Sequence, residues 1–286
     1  MEIEHYPNLL VVTKLVRPID ISINYVRKIK SHLRPDLEEV FIYGVFVFSV
    51  ASIEVMLSDV LKYYLTHFPQ KLSTDFKFDK DEFFENYFTL LETAIDRYLY
   101  NLSYKSLEEH LNKFLNHLSI EWNEFQDSFG KDLQEIKTAR NLLLHTGKAV
   151  RGGKNGDLPV DYDYVVQSID KILSFEEELK KRISEKYKEY TKINANKKLW
   201  KYMFKTPLMA SYDDYWLYDE SEDSIPGLKR SQYEDGLSSS ETMLLELWRS
   251  HFSGAHIKNF NMKHLDRTNR EKAMFFLSIA GEFSFY

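Results

Sequence analysis

The chain has 286 residues, 43% hydrophobic and 15% aromatic, with 38 Lys and Arg against 44 Asp and Glu and a formal net charge of −6. That is enough apolar material for a sizeable core and excludes a chain disordered throughout, while the acidic balance excludes a protein that coats nucleic acid with its whole surface, because duplex binding rests on Lys and Arg neutralising phosphates. The lack of Cys excludes disulfides, thiolate nucleophiles and Cys-ligated zinc, and ten Gly with seven Pro are too few for a β-sandwich or barrel, which needs a turn about every 8–12 residues.

The opening MEIEHYPNLL has acids where an export signal needs a basic segment, so a cytoplasmic protein is expected. Residues 1–37 read as an N-terminal helical extension. Their amphipathic stretch IDISINYVRKIKSHL closes at Arg34-Pro35, since the residue before a proline avoids the helical region. A long helix is predicted from Asp36 to about His67, ending near Pro69. Its apolar run from Val40 to Ile53 is bounded by Glu39 and Glu54 and is too short for a bilayer, which takes roughly 20 residues. It reads as a buried core helix, with no membrane partner.

A further helix is predicted from Asp79, where Asp79-x-x-Glu82 is a capping-box pattern, with Phe83, Phe84, Tyr87, Leu90, Leu91, Ile95 and Tyr98 at helical spacing. The next opens at Ser106-x-x-Glu109. Another runs from about Lys131 to His145 or Thr146, where Gly147 supplies the stop. The stretch GKAVRGGKNGDLP reads as a basic, glycine-rich loop. Asp161 then opens a long helix reaching about Lys192, with Val165, Ile169, Ile172, Leu173, Leu179 and Ile183 as its apolar stripe. The architecture expected for residues 38–192 is an all-α antiparallel bundle. From 193 to 286 the composition changes: aromatic residues lie beside the acids Asp213, Asp214, Asp219, Glu220, Glu222 and Asp223. Two helices close the chain, one capped by Ser238-x-x-Glu241 and stopped by Gly254, the other opening near Thr268-x-x-Glu271 and stopped by Gly281. This last region reads as a mostly helical accessory or interaction region.

No glycine-rich phosphate loop, His-Glu-x-x-His or Gly-x-Ser-x-Gly pattern occurs, which removes most of the case for nucleotide hydrolysis and zinc chemistry. No cofactor and no metal are expected. The informative stretch is Lys137-Thr-Ala-Arg140-Asn141-Leu-Leu-Leu-His145. At about 100° per residue, Leu133, Ile136, Leu143 and Leu144 all fall within roughly 60° of Arg140, which places the guanidinium in the middle of an apolar stripe. An unpaired guanidinium there costs several kcal/mol or more. The expected partner is Glu54, the lone acid after the uncharged run of the first core helix. Two readings of Arg140 stay open: a structural pair with Glu54, or a side chain that snorkels to the rim. His145 lies roughly 140° round from Arg140. The two converge only at a frayed helix end or across a two-fold axis; alone, His145 is a helix-terminal imidazole facing the carbonyl end of the dipole.

An Arg, then a polar residue, then a His after four intervening positions at the end of a bundle helix resembles the HEPN superfamily, many of whose members are metal-independent endoribonucleases. Two further Arg-to-His spacings occur. Arg27 to His32 lacks the amide after the Arg, and Arg249 to His256 is interrupted by Gly254; only Arg140 is followed by Asn. The resemblance covers residues 38 to 188 and is similar to the RiboL-PSP-HEPN or MAE-type group, through SIEVMLSDVL, LSYKSLEEHLNKFL, ARNLLLHTGKAV, the basic loop and the helix opening at DYDYV.

The resemblance implies that Arg140 stabilises charge on a phosphate, His145 acts as general acid or base, Asn141 orients the phosphate or the imidazole, and Glu54 positions Arg140. RNA supplies its own nucleophile, the 2′-OH, so no metal is needed and the products end in 2′,3′-cyclic phosphate and 5′-OH. Between Glu135 and Asp157 there is no acid. Lys137, Lys148, Arg151 and Lys154 join Arg140 there as a candidate RNA-binding rim, or a solvated basic loop. The expected assembly is a homodimer on an RNA substrate, in toxin or anti-phage defence, with an antitoxin or regulatory protein as a possible further partner. HEPN toxins neutralised by a nucleotidyltransferase carry a Tyr two residues after the His; here that position is Gly147, which argues against that route. The alternative is a catalytically silent HEPN-type module that binds RNA or protein, and a third reading makes residues 193–286 the functional part.

Overall fold

The computed structural model describes residues 8–72, 80–121, 129–147, 149–153, 156–203, 216–217, 227–228, 238–253, 263 and 265–279, with backbone only at 80–88, 151–153, 156–158, 216–217, 227–228, 249–253, 267 and 278–279. Helices dominate, as the sparse turn residues predict. The chain divides into two compact units, residues 10–191, and the residues up to Leu9 together with the part from Lys192 onward.

The first unit opens with α1, Val12–His32. This helix runs through Pro18 and begins well before the stretch the sequence marked out. A proline inside a helix costs about 3 kcal/mol through its missing N–H. Leu15, Val16, Ile19, Ile23 and Val26, spaced three and four apart, are all buried, and their burial at roughly 1.5–3 kcal/mol each outweighs it. The donors at the helix start are satisfied by tertiary partners: Val12 N–H donates to the Tyr190 carbonyl at 2.7 Å and Val11 N–H to the Tyr63 hydroxyl at 3.2 Å. α1 is therefore a core helix of the bundle, not an extension outside it.

α2, Glu39–His67, places Ile42, Phe46, Val50, Ile53, Leu57, Leu61 and Tyr64 in the core. It is longer than its apolar run, and by length and composition it is the one helix among the described residues able to cross a membrane. Glu54, Asp59 and Lys62 interrupt it, and its inner face packs into the bundle. A short 3-10 turn, Pro69–Lys71, follows. α3, Lys80–Ser103, buries Leu91, Ala94, Ile95 and Leu102; the proposed cap Asp79 lies outside the described residues.

α4, Leu107–His117, has the predicted capping box. Glu109 N–H donates to the Ser106 hydroxyl at 3.1 Å and Ser106 N–H to the Glu109 carboxylate at 3.4 Å. α5, Lys131–Thr146, ends where Gly147 takes φ 67°, a left-handed conformation that costs glycine nothing, and its N–H reaches the Leu143 carbonyl at 3.1 Å.

The basic stretch after α5 is a β-hairpin instead of a loop. β1, Val150–Gly153, pairs antiparallel with β2, Gly156–Pro159, from Val150 opposite Pro159 to Gly153 opposite Gly156. The strand residues, glycine-rich as they are, lack the alternation that marks a strand in sequence. α6, Tyr162–Lys186, is capped by the Asp161 carboxylate, which accepts from Tyr164 N–H at 2.9 Å. It stops short of Lys192: Tyr187 turns out of the helix and its hydroxyl donates to the Leu118 carbonyl at 2.9 Å.

The second unit contains α7 (Lys192–Met203), α8 (Ser239–Ser253) and α9 (Arg267–Ile279). Ser238 and Glu241 cap α8 as predicted. Asp266, not Thr268, caps α9, accepting from Asn269 N–H at 2.9 Å. Trp200, Trp248 and Phe276 are buried together, the two indoles edge to face at 5.2 Å, and the Lys272 ammonium caps the Met203 carbonyl at 2.8 Å. These aromatics are core. The acids from 213 to 223 and the stops Gly254 and Gly281 lie outside the described residues.

Candidate functional site

Glu54 leaves the inner edge of α2 between buried Ile53 and exposed Val55, and meets two cations of α5. Its Oε1 pairs with the Lys137 ammonium at 2.9 Å and its Oε2 accepts from Arg140 Nη2 at 3.1 Å. Lys137 and Arg140 are three residues apart, so they share a helix face and fork over one carboxylate. Arg140 Nη1 donates to the Asn141 amide oxygen at 2.9 Å. Arg140 side-chain exposure is 17%, that of Lys137 11% and that of Glu54 29%, so the cluster is half withdrawn from water but opens to it.

The pairing of Arg140 with Glu54 is thus present, and the guanidinium does not snorkel free. Arg140 does not sit in the middle of the apolar stripe that periodicity predicts. Leu133, Ile136 and Ala139 are buried while Leu144 is 52% exposed, so the buried arc of α5 is centred about 40° from Arg140, which sits toward one side of it. Periodicity counted Leu144 as core; the fold leaves it outside.

Lys137 also differs from its assignment to an exposed rim: it is the second cation of the cluster. Lys148 and Lys154 lie outside the described residues, and Arg151 is placed by its backbone alone in β1. His145 is exposed in the last turn of α5, with no hydrogen bond or ion pair among the described residues. Five residues separate it from Arg140, roughly 7.5 Å of rise and 140° of rotation. The structure brings Glu54, Lys137, Arg140 and Asn141 together and leaves His145 apart from them within one chain. Of the two other spacings, Arg27 pairs with Glu177 at 2.5 Å and His32 Nδ1 meets the Lys28 carbonyl at 2.7 Å, both surface arrangements on α1.

One residue that belongs to no motif lies in this neighbourhood. His110 lies on the apolar face of α4 with Leu107, Leu111 and Phe114, and is 3% exposed. Burial, with the Lys137 charge acting in the same sense and that of Glu54 opposing, pushes its imidazole down to about 4. It is neutral at physiological pH. Its Nε2, like Arg140 Nε, is buried without a hydrogen-bond partner among the described residues. The available signal was its spacing with Leu107, Leu111 and Phe114, which puts it inside the core rather than on the surface.

Two cations on one carboxylate leave a unit of positive charge unneutralised, and a phosphodiester carries the matching charge. Among the described residues no group of three or more His, Asp or Glu is gathered to hold a metal ion. No family model, curated protein or solved structure matches this chain.

Proposed function

We propose that the chain is a HEPN-type endoribonuclease that cleaves RNA by 2′-OH attack, without a metal, in toxin or anti-phage defence. The observation that carries this reading is the cluster itself: Arg140, aimed by Glu54 and Asn141 and backed by Lys137, presents surplus positive charge on the helix whose last turn carries His145. In the reaction the 2′-oxygen attacks phosphorus and its proton passes to an imidazole. Arg140 stabilises the pentacoordinate phosphate, the bond from phosphorus to the 5′-oxygen breaks, and an imidazolium protonates the leaving oxygen.

Since Arg140 and His145 diverge on one helix, the working site is taken to combine two copies of the chain. Phe41, Phe48 and Val55 support this: they repeat every seventh residue along the outer face of α2 and are 60%, 59% and 60% exposed, with Leu144 exposed on α5. A heptad-spaced apolar stripe is the kind that pairs with its own copy. Phe48→Glu should shift light-scattering mass from dimer to monomer; an unchanged mass removes the two-copy site.

The decisive test is incubation of wild type and His145→Ala with mixed cellular RNA in EDTA. Fragments ending in 2′,3′-cyclic phosphate are expected from wild type alone, with activity at least about 100-fold lower in the variant. Equal cleavage by both overturns the reading. One observation favours a silent RNA- or protein-binding module: Arg140 is committed to two partners while His145 has none among the described residues. That alternative predicts no cleavage and a lowered melting temperature as the main effect of Arg140→Ala.

A further inference from the structure

Around the Glu54 carboxylate, hydrogen-bonding capacity is unevenly used. The Lys137 ammonium has three donors, and Glu54 Oε1 takes one of them. The Lys137 side chain is 11% exposed, so water reaches the others poorly. On α4, which packs against both α2 and α5, His110 is 3% exposed and its Nε2 has no partner among the described residues. Lys137 and Glu54 are the two charged groups whose fields act on that imidazole. A neutral imidazole has one acceptor nitrogen, and a buried acceptor left unpaired is costly. The spare donors and the spare acceptor belong to side chains of adjoining helices and are not bonded to one another in this structure; lysine has four rotatable bonds with which to join them.

We propose that His110 is a positioning residue for this site: its Nε2 accepts a hydrogen bond from Lys137, so that the ammonium is held between Glu54 and His110. The inference rests on the ribonuclease reading for its role but not for its existence. When a phosphate draws the Arg140 guanidinium away, Glu54 would otherwise be left half-buried and unpaired, and would pull Arg140 back. An anchored Lys137 remains as counter-ion, so Arg140 turns to the phosphate without stranding the carboxylate. The imidazole suits this because it is neutral; an imidazolium there would repel Lys137.

The test uses the full chain. His110→Gln keeps an uncharged acceptor near the position of Nε2, whereas His110→Phe keeps the bulk and removes the acceptor. In RNA cleavage, His110→Phe is expected to lose about 10- to 100-fold in kcat with little change in KM, and His110→Gln to stay within a few-fold of wild type. A Gln variant as impaired as Phe, or a Phe variant as active as wild type, overturns the proposal. An independent arm needs no cleavage. The ¹⁵N resonance of His110 Nε2 is recorded in wild type and in Lys137→Met, and it should move toward the position of a free acceptor when the ammonium is lost. An unmoved resonance overturns the proposal even if the protein proves a nuclease, and a moved one sustains the contact even if it does not.

Discussion

Glu54 and Glu176 both point inward from helices of the same bundle, yet their surroundings differ. Glu54 meets Lys137 and Arg140 and is 29% exposed, a charge held between two cations at a solvent-facing edge. Glu176, on α6 where it packs against α1, is 0% exposed. Its Oε1 accepts from the Ser22 hydroxyl at 2.6 Å, and its Oε2 has no partner among the described residues. The cations of that seam are engaged elsewhere: Lys180 with Asp20 at 2.5 Å and Arg27 with Glu177 at 2.5 Å. Burial therefore pushes the Glu176 carboxyl up to about 7, against the lowering effect of Ser22. One inward carboxylate organises a charged, accessible cluster; the other is a core group whose burial favours the protonated form. Cations within reach decide which, and neither outcome is visible in the residue type.

The largest expected effect comes from titrating the two buried groups against each other. Glu176 is raised from 4.5 to about 7, so its contribution to stability is complete below 4.5 and is lost as pH rises through 7, a swing of about 3 kcal/mol. His110 is lowered from 6.5 to about 4, so its contribution is complete above 6.5 and is lost as pH falls through 4, by a similar amount. Between 4.5 and 6.5 the two slopes oppose. Urea unfolding across this window should show Glu176→Gln losing stability on acidification and His110→Gln gaining it. If Glu176→Gln follows the wild-type profile, the contrast between the two carboxylates fails.

Next in size is Glu54→Gln at pH 7.5, which leaves Lys137 and Arg140 without their counter-ion. A fully buried pair broken in this way costs about 3–5 kcal/mol; with the cluster partly solvated, a loss of about 2 kcal/mol is expected by the same assay. A loss below about 0.5 kcal/mol would mean that the pairs are no stronger than surface ones. The smallest effect sharpens the comparison from the other side. Arg27→Ala removes an exposed pair, with side chains 57% and 51% exposed, on the same seam as Glu176, and should change stability by no more than about 0.5 kcal/mol. A larger change would show that seam charge, not burial, governs Glu176.

Much of the helical frame was legible in the linear chain, because caps and stops are local chemistry. Ser106 with Glu109, Asp161, Ser238 with Glu241, and Gly147 each act within three or four residues of themselves, and each appears as read. Arg140 facing Glu54 was also legible, since an ion on an apolar surface demands a counter-ion. Pro18 inside α1 was not, because it is tolerated only through burial against elements far along the chain. Nor was the hairpin at Val150–Pro159, whose glycines mask any alternation.

What the sequence by itself determined is therefore the caps and stops at Ser106, Gly147, Asp161 and Ser238, and that an arginine and a glutamate out of place must meet. Tertiary structure alone decided that Lys137 joins them, that Leu144 and the Phe41, Phe48 and Val55 stripe stay outside, that His110 lies beside the cluster with a spare acceptor, and that Glu176 lacks a cation. Each depends on which side chains from distant segments arrive at the same place, and burial and charge pairing are properties of that arrival.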